Sequence, residues 1–208
     1  MGVTHERFMQ GMSFPEYIAQ MQQNQEKFVE NYNGAELDGE AVQFVCNLNV
    51  PLNVLIITED WCGDALTYVP VFGRLAECSD CWTLRVFLRD QNLDLADQYL
   101  KEGKYRSVPV FVFFDEEMNE VGCFIERPGA VNAERQHLID TWAERHADVI
   151  APGRPYMEQS PEGQALLAEP LRELRMGRLR RWQQVCVEEI MKILRPLERE
   201  PVGAGQAG

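Results

Sequence analysis

At 208 residues, with 45% hydrophobic and 25% charged side chains, the chain suits one compact α/β domain carrying extensions rather than two full domains. Its 33 acidic residues against 20 Lys and Arg give a formal net charge of −13, which repels phosphate backbones and excludes nucleic acid as an expected partner. No run approaches the roughly 18 apolar residues of a membrane span, and six irregularly spaced cysteines with no signal peptide before them point to reduced thiols in a soluble, cytoplasmic protein without membrane contact.

In chain order, "SFPEYIAQMQQNQEKFVENY" opens at Ser13 with a Ser-x-x-Glu capping box and places Ile18, Met21, Phe28 and Tyr32 at mostly helical spacing, which predicts one long amphipathic helix. A shorter helix is expected from Asp38 to about Leu48, and "LNVLIIT" is an apolar run of strand length. A helix from about Cys62 to Glu77 leads to a second strand, "WTLRVFLRD". Another helix is expected from about Leu93 to Lys101. "SVPVFVFFD" and "NEVGCFIER" then read as strands of an antiparallel hairpin around Glu116 to Met118, and a helix from about Asn132 to Ala147 follows.

The order β-α-β-α-β-β-α predicts a mixed four-stranded sheet with flanking helices, its parallel pairs joined by crossovers. After the turn-rich connector "DVIAPGRPYMEQSPEG", a helical segment runs from about Gln164 to Leu197, with a break expected at Pro170. Its stripe of Leu179, Trp182, Cys186, Ile190, Ile193 and Leu197 needs cover from the domain itself or from a homodimer partner. The basic run "RELRMGRLRR" reads as that helix's solvated face. The division expected is residues 1–49 as an N-terminal helical extension, 50–147 as the core, 148–197 as a C-terminal helical extension and 198–208 as a flexible tail.

The chemistry centres on "TEDWCGDA". A cysteine in the first turn of a helix faces unpaired backbone N–H groups and the positive end of the helix dipole, which favours thiolate over thiol. On this reasoning Cys62 is expected to be the most readily alkylated of the six thiols. Trp61-Cys62-Gly63 after the first core strand, "RDQN" after the second and Ser107-Val108-Pro109 before the third resemble the thioredoxin superfamily. More narrowly, "TEDWCGDA", "LRDQNLDLADQYL", "RSVPVFVFFDEE" and "ERP" look like a bacterial thioredoxin-like family in which Asp-Ala follows Cys-Gly. The resemblance is closest over residues 53 to 128. It implies a thioredoxin-like fold, a cis-proline at Pro109 beside the thiol, and a Val108 backbone that pairs with an extended substrate; Trp61 and Gly63 complete that docking surface.

The departures from the dithiol pattern agree with one another. Ala65 removes the resolving thiol, and the resemblance puts Ile56 and Val86 where dithiol relatives carry a buried aspartate and its lysine neighbour. The sequence therefore points to a monothiol oxidoreductase: Cys62 attacks a protein disulfide or thiol adduct and an external low-molecular-weight thiol completes the cycle, with no cofactor. The alternative is a redox-inactive binding module that docks a protein partner through Trp61 and Pro109. A peroxidase would need Thr-x-x-Cys, whereas Thr58 lies four residues before Cys62.

Asp60 and Asp64 are expected to tune the thiol, raising its pKa, and Asp64 also suits the first turn of the helix by itself. Arg127, aligned beside the proline, is expected to pair with one of these carboxylates, to bind a substrate carboxylate, or to form a plain surface salt bridge. "CSDC" at 78 to 81 has no second Cys or His pair at metal-site spacing, so no metal site is expected. Cys78 would lie on the order of 24 Å from Cys62 along the helix. Cys46, Cys123 and Cys186 fall among apolar neighbours and read as core.

Overall fold

A computed structural model describes residues 2–198. The helices are α1 (His5–Met9), α2 (Phe14–Gln20), α3 (Gln25–Asn33), α4 (Gly39–Leu48), α5 (Gly63–Ala76), α6 (Leu93–Ala96), α7 (Gly129–Ala143) and α8 (Pro161–Leu194). The strands are β1 (Leu52–Thr58), β2 (Trp82–Leu88), β3 (Val110–Phe114) and β4 (Glu120–Ile125). They form one sheet in the order β2-β1-β3-β4. Among the described residues only β1 and β2 run parallel; β3 enters antiparallel to β1, and β4 antiparallel to β3. The sheet is mixed as expected, but it has one parallel pair where several were expected, because β3 enters beside β1 from the opposite end.

Strand alternation sorts the core into two layers. Val54, Ile56, Val86, Phe111, Phe113 and Phe124 face the layer that contains α2 to α5 and the end of α8. Leu55, Ile57, Phe87, Val110, Val112 and Phe114 face the opposite layer, closed by Val3 and Phe8 and by Leu95 and Tyr99 around α6. A smaller cluster joins Ile139 and Ala143 of α7 to Leu167 and Leu171 of α8.

The expected long N-terminal helix is two helices. The capping box at Ser13 and Glu16 is present, but the chain breaks at Met21–Asn24, where Met21 is extended and Asn24 is left-handed at φ 56°. The reason is tertiary: the Gln22 and Gln23 amides donate to Asp60 Oδ2 at 2.7 and 3.0 Å, and the Asn24 side chain donates to the Asp60 carbonyl at 2.8 Å. The helix expected from Leu93 to Lys101 shrinks to α6, because the chain turns back through a bridge between Lys101 and Tyr105. Pro170 does not interrupt α8. Leu167 and Leu171 beside it are held against α7, and this packing overrides the one backbone bond the proline removes.

Two polar contacts fix the helix that follows the motif. Pro70 inside α5 leaves the Leu66 carbonyl without its usual amide, and the Asn31 side chain of α3 donates to that oxygen at 2.8 Å. One residue further on, the buried Gln183 of α8 donates to the Thr67 carbonyl at 3.2 Å. Trp182, Cys186 and Ile190 are fully buried beside it and Ile193 and Leu197 pack against the same cluster, so the stripe of α8 from Trp182 onward is covered by its own chain. The basic run is solvated as expected at Arg172, Arg178, Arg180 and Arg181, with exposed ion pairs from Arg178 and Arg181 to Glu134 of α7 and from Arg180 to Glu36; only Arg175 is half-buried. The tail expected at 198–208 lies outside the described residues beyond Glu198.

Candidate active site

Cys62 caps the N-terminus of α5 with an extended backbone, its chain delivered there by β1 and the "EDW" turn. Glu59 is buried and accepts from the Asp90 amide at 2.7 Å, tying the turn to the segment after β2. Trp61 is 43% exposed and lies beneath the Arg89 guanidinium, 4.9 Å from its ring centroid. The turn is thus held from both sides while its indole faces outward.

The half-buried Cys62 thiol donates to the Val108 carbonyl at 3.4 Å, and the Val108–Pro109 peptide is cis. Among the described residues the Val108 amide has no backbone partner, while the Pro109 carbonyl accepts from the Glu126 amide at 2.7 Å. Ala65 is buried one turn into α5. Ile56 pairs in register with Val86 and Phe111, so the apolar replacement of the acid and amine is embedded in the sheet beneath the thiol. The expected site residues Cys62, Trp61, Gly63, Val108 and Pro109 therefore meet at one end of the sheet.

The charges divide differently from the sequence expectation. Asp60 serves as an anchor for the 22–24 loop and does not meet Arg127. Asp64 does: Arg127 donates to Asp64 Oδ2 through Nη2 at 2.8 Å and Nε at 3.2 Å, and also contacts Glu126. Both partners are enclosed, with side-chain exposures of 14% for Arg127 and 10% for Asp64, so a plain surface bridge is excluded. Asp64 Oδ1 is buried without a partner among the described residues.

These surroundings decide the thiol's state. Burial, then the Asp64 charge, pushes the Cys62 thiol up to about 11, and the Ala65 and Asp64 amides and Arg127 pull it down by less. The expectation that the helix start favours thiolate fails here. The dipole argument weighs the backbone alone, whereas the sulfur also lies under Val108 between both apolar layers. Cys46, expected in the core, is exposed, and its thiol donates to the Cys78 carbonyl at 3.2 Å. Cys123 is half-buried and Cys186 fully buried. Among the described residues no cluster of three or more His, Cys, Asp or Glu is placed to hold a metal, and no helix is long and apolar enough to cross a membrane.

Sequence reasoning missed two arginines. Arg175 of α8 packs its guanidinium against Gly63, where any Cβ would overlap it. Arg135 of α7 lies close enough to Arg127, Asp64 and Arg175 to feel all three charges. The basic composition around Arg175 was visible, but its partner is 112 residues away and no local period signals the contact.

A family model described as thioredoxin matches residues 11–143. A protein of unknown function from Pseudomonas aeruginosa superposes over 95% of this chain and 100% of its own, at 16% identity and a TM-score of 0.64. An HIV epitope-scaffold does so over 92% and 96%, at 16% identity and a TM-score of 0.61. Fasciola hepatica thioredoxin aligns with 40% of this chain and 75% of its own, at 24% identity and a TM-score of 0.31. No curated protein sequence matches.

Proposed function

The chain belongs to the thioredoxin family, and on that premise we propose that it is a cytoplasmic monothiol oxidoreductase that exchanges protein disulfides or thiol adducts at Cys62. The observation that carries this reading is the placement of Cys62 Sγ at the start of α5, 3.4 Å from the Val108 carbonyl and beside Pro109, with the Val108 amide free of a backbone partner. An extended substrate strand pairs at Val108 and brings its sulfur to Cys62. The Cys62 proton leaves, and the thiolate attacks the substrate disulfide. One substrate sulfur departs as thiolate and the other stays joined to Cys62. A low-molecular-weight thiolate then attacks that adduct, takes the bound sulfur into a new disulfide, and returns Cys62 as thiolate. No second cysteine is needed, in keeping with Ala65, Ile56 and Val86.

With the thiol at about 11, on the order of one molecule in ten thousand carries the thiolate at pH 7. Exchange is therefore slow at rest and accelerates with pH. The departing proton passes to water, which the half-buried Cys62 still meets.

The same raised pKa favours a second reading, a module that docks a protein partner through Trp61 and Pro109 without turnover. A mixed disulfide between a carrier protein and 2-mercaptoethanol, incubated with a reducing thiol, separates the two. Under the first reading the native protein speeds release of 2-mercaptoethanol, and Cys62→Ser returns the rate to background. Release at background with the native protein, from neutral pH to pH 9, leaves the docking module.

A further inference from the structure

A cavity of about 390 Å³ opens between α7 and the segment before Pro109, lined by Tyr105, Ser107, Arg127, Asn132, Arg135 and Tyr156, among others. It is within the size range of small-molecule sites. Ser107 and Arg127 connect it to the thiol: Ser107 precedes the residue whose carbonyl receives Cys62 S–H, and Arg127 holds Asp64. A molecule seated there lies alongside the docking surface proposed above.

The charges lining this cavity do not cancel residue by residue. Lys101 pairs with Glu126, and Arg127 pairs with both Glu126 and Asp64. Arg135 has no hydrogen bond or ion pair among the described residues, although it is half-buried. Burial, then repulsion from Arg127 and Arg175, holds its pKa below the usual guanidinium value, although Asp64 and Glu126 nearby attract it without bonding to it. Desolvating a guanidinium without a hydrogen-bonded partner is costly, and a carboxylate is the ligand group that matches its planar fork with two parallel hydrogen bonds. Lys101, Arg127 and Arg135 line the cavity against Glu102 and Glu126, so it carries a slight positive excess in a chain whose net charge is −13.

We propose that this cavity is the binding site of the resolving thiol, a low-molecular-weight thiol bearing a carboxylate that Arg135 clamps while the sulfur reaches toward Cys62. The inference rests on the monothiol reading for the identity of the ligand, but the site can be tested without turnover. S-methylglutathione, which carries carboxylates and no reactive sulfur, serves as the binding probe for the full chain in calorimetry.

The native protein and Cys62→Ser are expected to bind it alike. Arg135→Gln is expected to weaken binding at least tenfold, and Arg135→Lys to restore part of the loss. The thermal midpoint of Arg135→Gln should not fall, because the native guanidinium has no partner to lose; a lowered midpoint would mark Arg135 as a structural residue and overturn the assignment. Absence of binding to the native protein, or equal binding by Arg135→Gln, also overturns it and leaves the Cys62 reading intact. Binding that depends on Arg135, joined to background release in the mixed-disulfide assay, supports the cavity and sinks the monothiol function.

Discussion

The two ends of α5 both carry sulfur and enclose it to different degrees: burial raises the thiol of Cys78 as it does that of Cys62, and much further at Cys62. At the N-terminus Cys62 sits where the helix field favours a thiolate, yet it is enclosed by Val108, Asp64 and the apolar layers, and its pKa rises to about 11. Beyond the C-terminus, Cys78 and Cys81 are half-buried and Cys46 is exposed beside Cys78. The rise at Cys62, from an ordinary value of 9.0 to about 11, corresponds to roughly 3 kcal/mol against the thiolate. A helix terminus offers an exposed charge only about 0.3–1 kcal/mol. Position on a helix therefore does not by itself set the thiol's pKa; enclosure outweighs it.

The comparison breaks most visibly at Arg127. Arg127→Ala leaves Asp64 buried beside Glu126 without its counterion, and urea unfolding is expected to show a loss of about 3 kcal/mol or more. In the same variant the Cys62 thiol should rise further, since a neighbouring cation has gone and a carboxylate has been freed. An unchanged midpoint would mean that the buried pair does not hold this end together.

Ala65→Cys sharpens the contrast by giving the enclosed end a second sulfur. Oxidation is expected to bridge positions 62 and 65, seen by mass mapping. Insulin reduction with a dithiol reductant should then exceed the native level severalfold, with Cys62→Ser removing the gain. The gain stays partial because Ile56 and Val86 supply neither acid nor amine. A variant that forms no bridge would contradict the placement of both residues in the first turn of α5.

The pH dependence of alkylation compares the two ends directly. Below its pKa of about 11, the Cys62 rate should climb about tenfold per pH unit and level only above that value. Brief, limiting labelling at neutral pH should mark Cys46 before Cys62, the reverse of the order expected from the helix start. Labelling of Cys62 first would show that the enclosure opens in solution. The smallest effect belongs to Cys46→Ser, which removes an exposed thiol and should change stability by no more than about 0.5 kcal/mol. A larger loss would place Cys46 in the packing after all.

What the sequence settled about this protein is what one or two turns of chain can encode. The limits of β1, the hairpin and its Glu116 to Met118 turn, the capping box at Ser13 and the start of α5 at Cys62 follow from side-chain period, turn chemistry and unpaired terminal amides. The juxtaposition of Cys62 and Pro109 was legible only through a resemblance to a fold, and so was the position of Arg127 near the first turn of α5. Tertiary structure decided the rest. Asp60 broke a helix 36 residues away by capping Asn24 and its neighbours, and Arg175 closed over Gly63 from α8. The protonation state of Cys62 followed the same rule, because desolvation and buried charge depend on which distant segments exclude water from the sulfur, and no local pattern of residues records that.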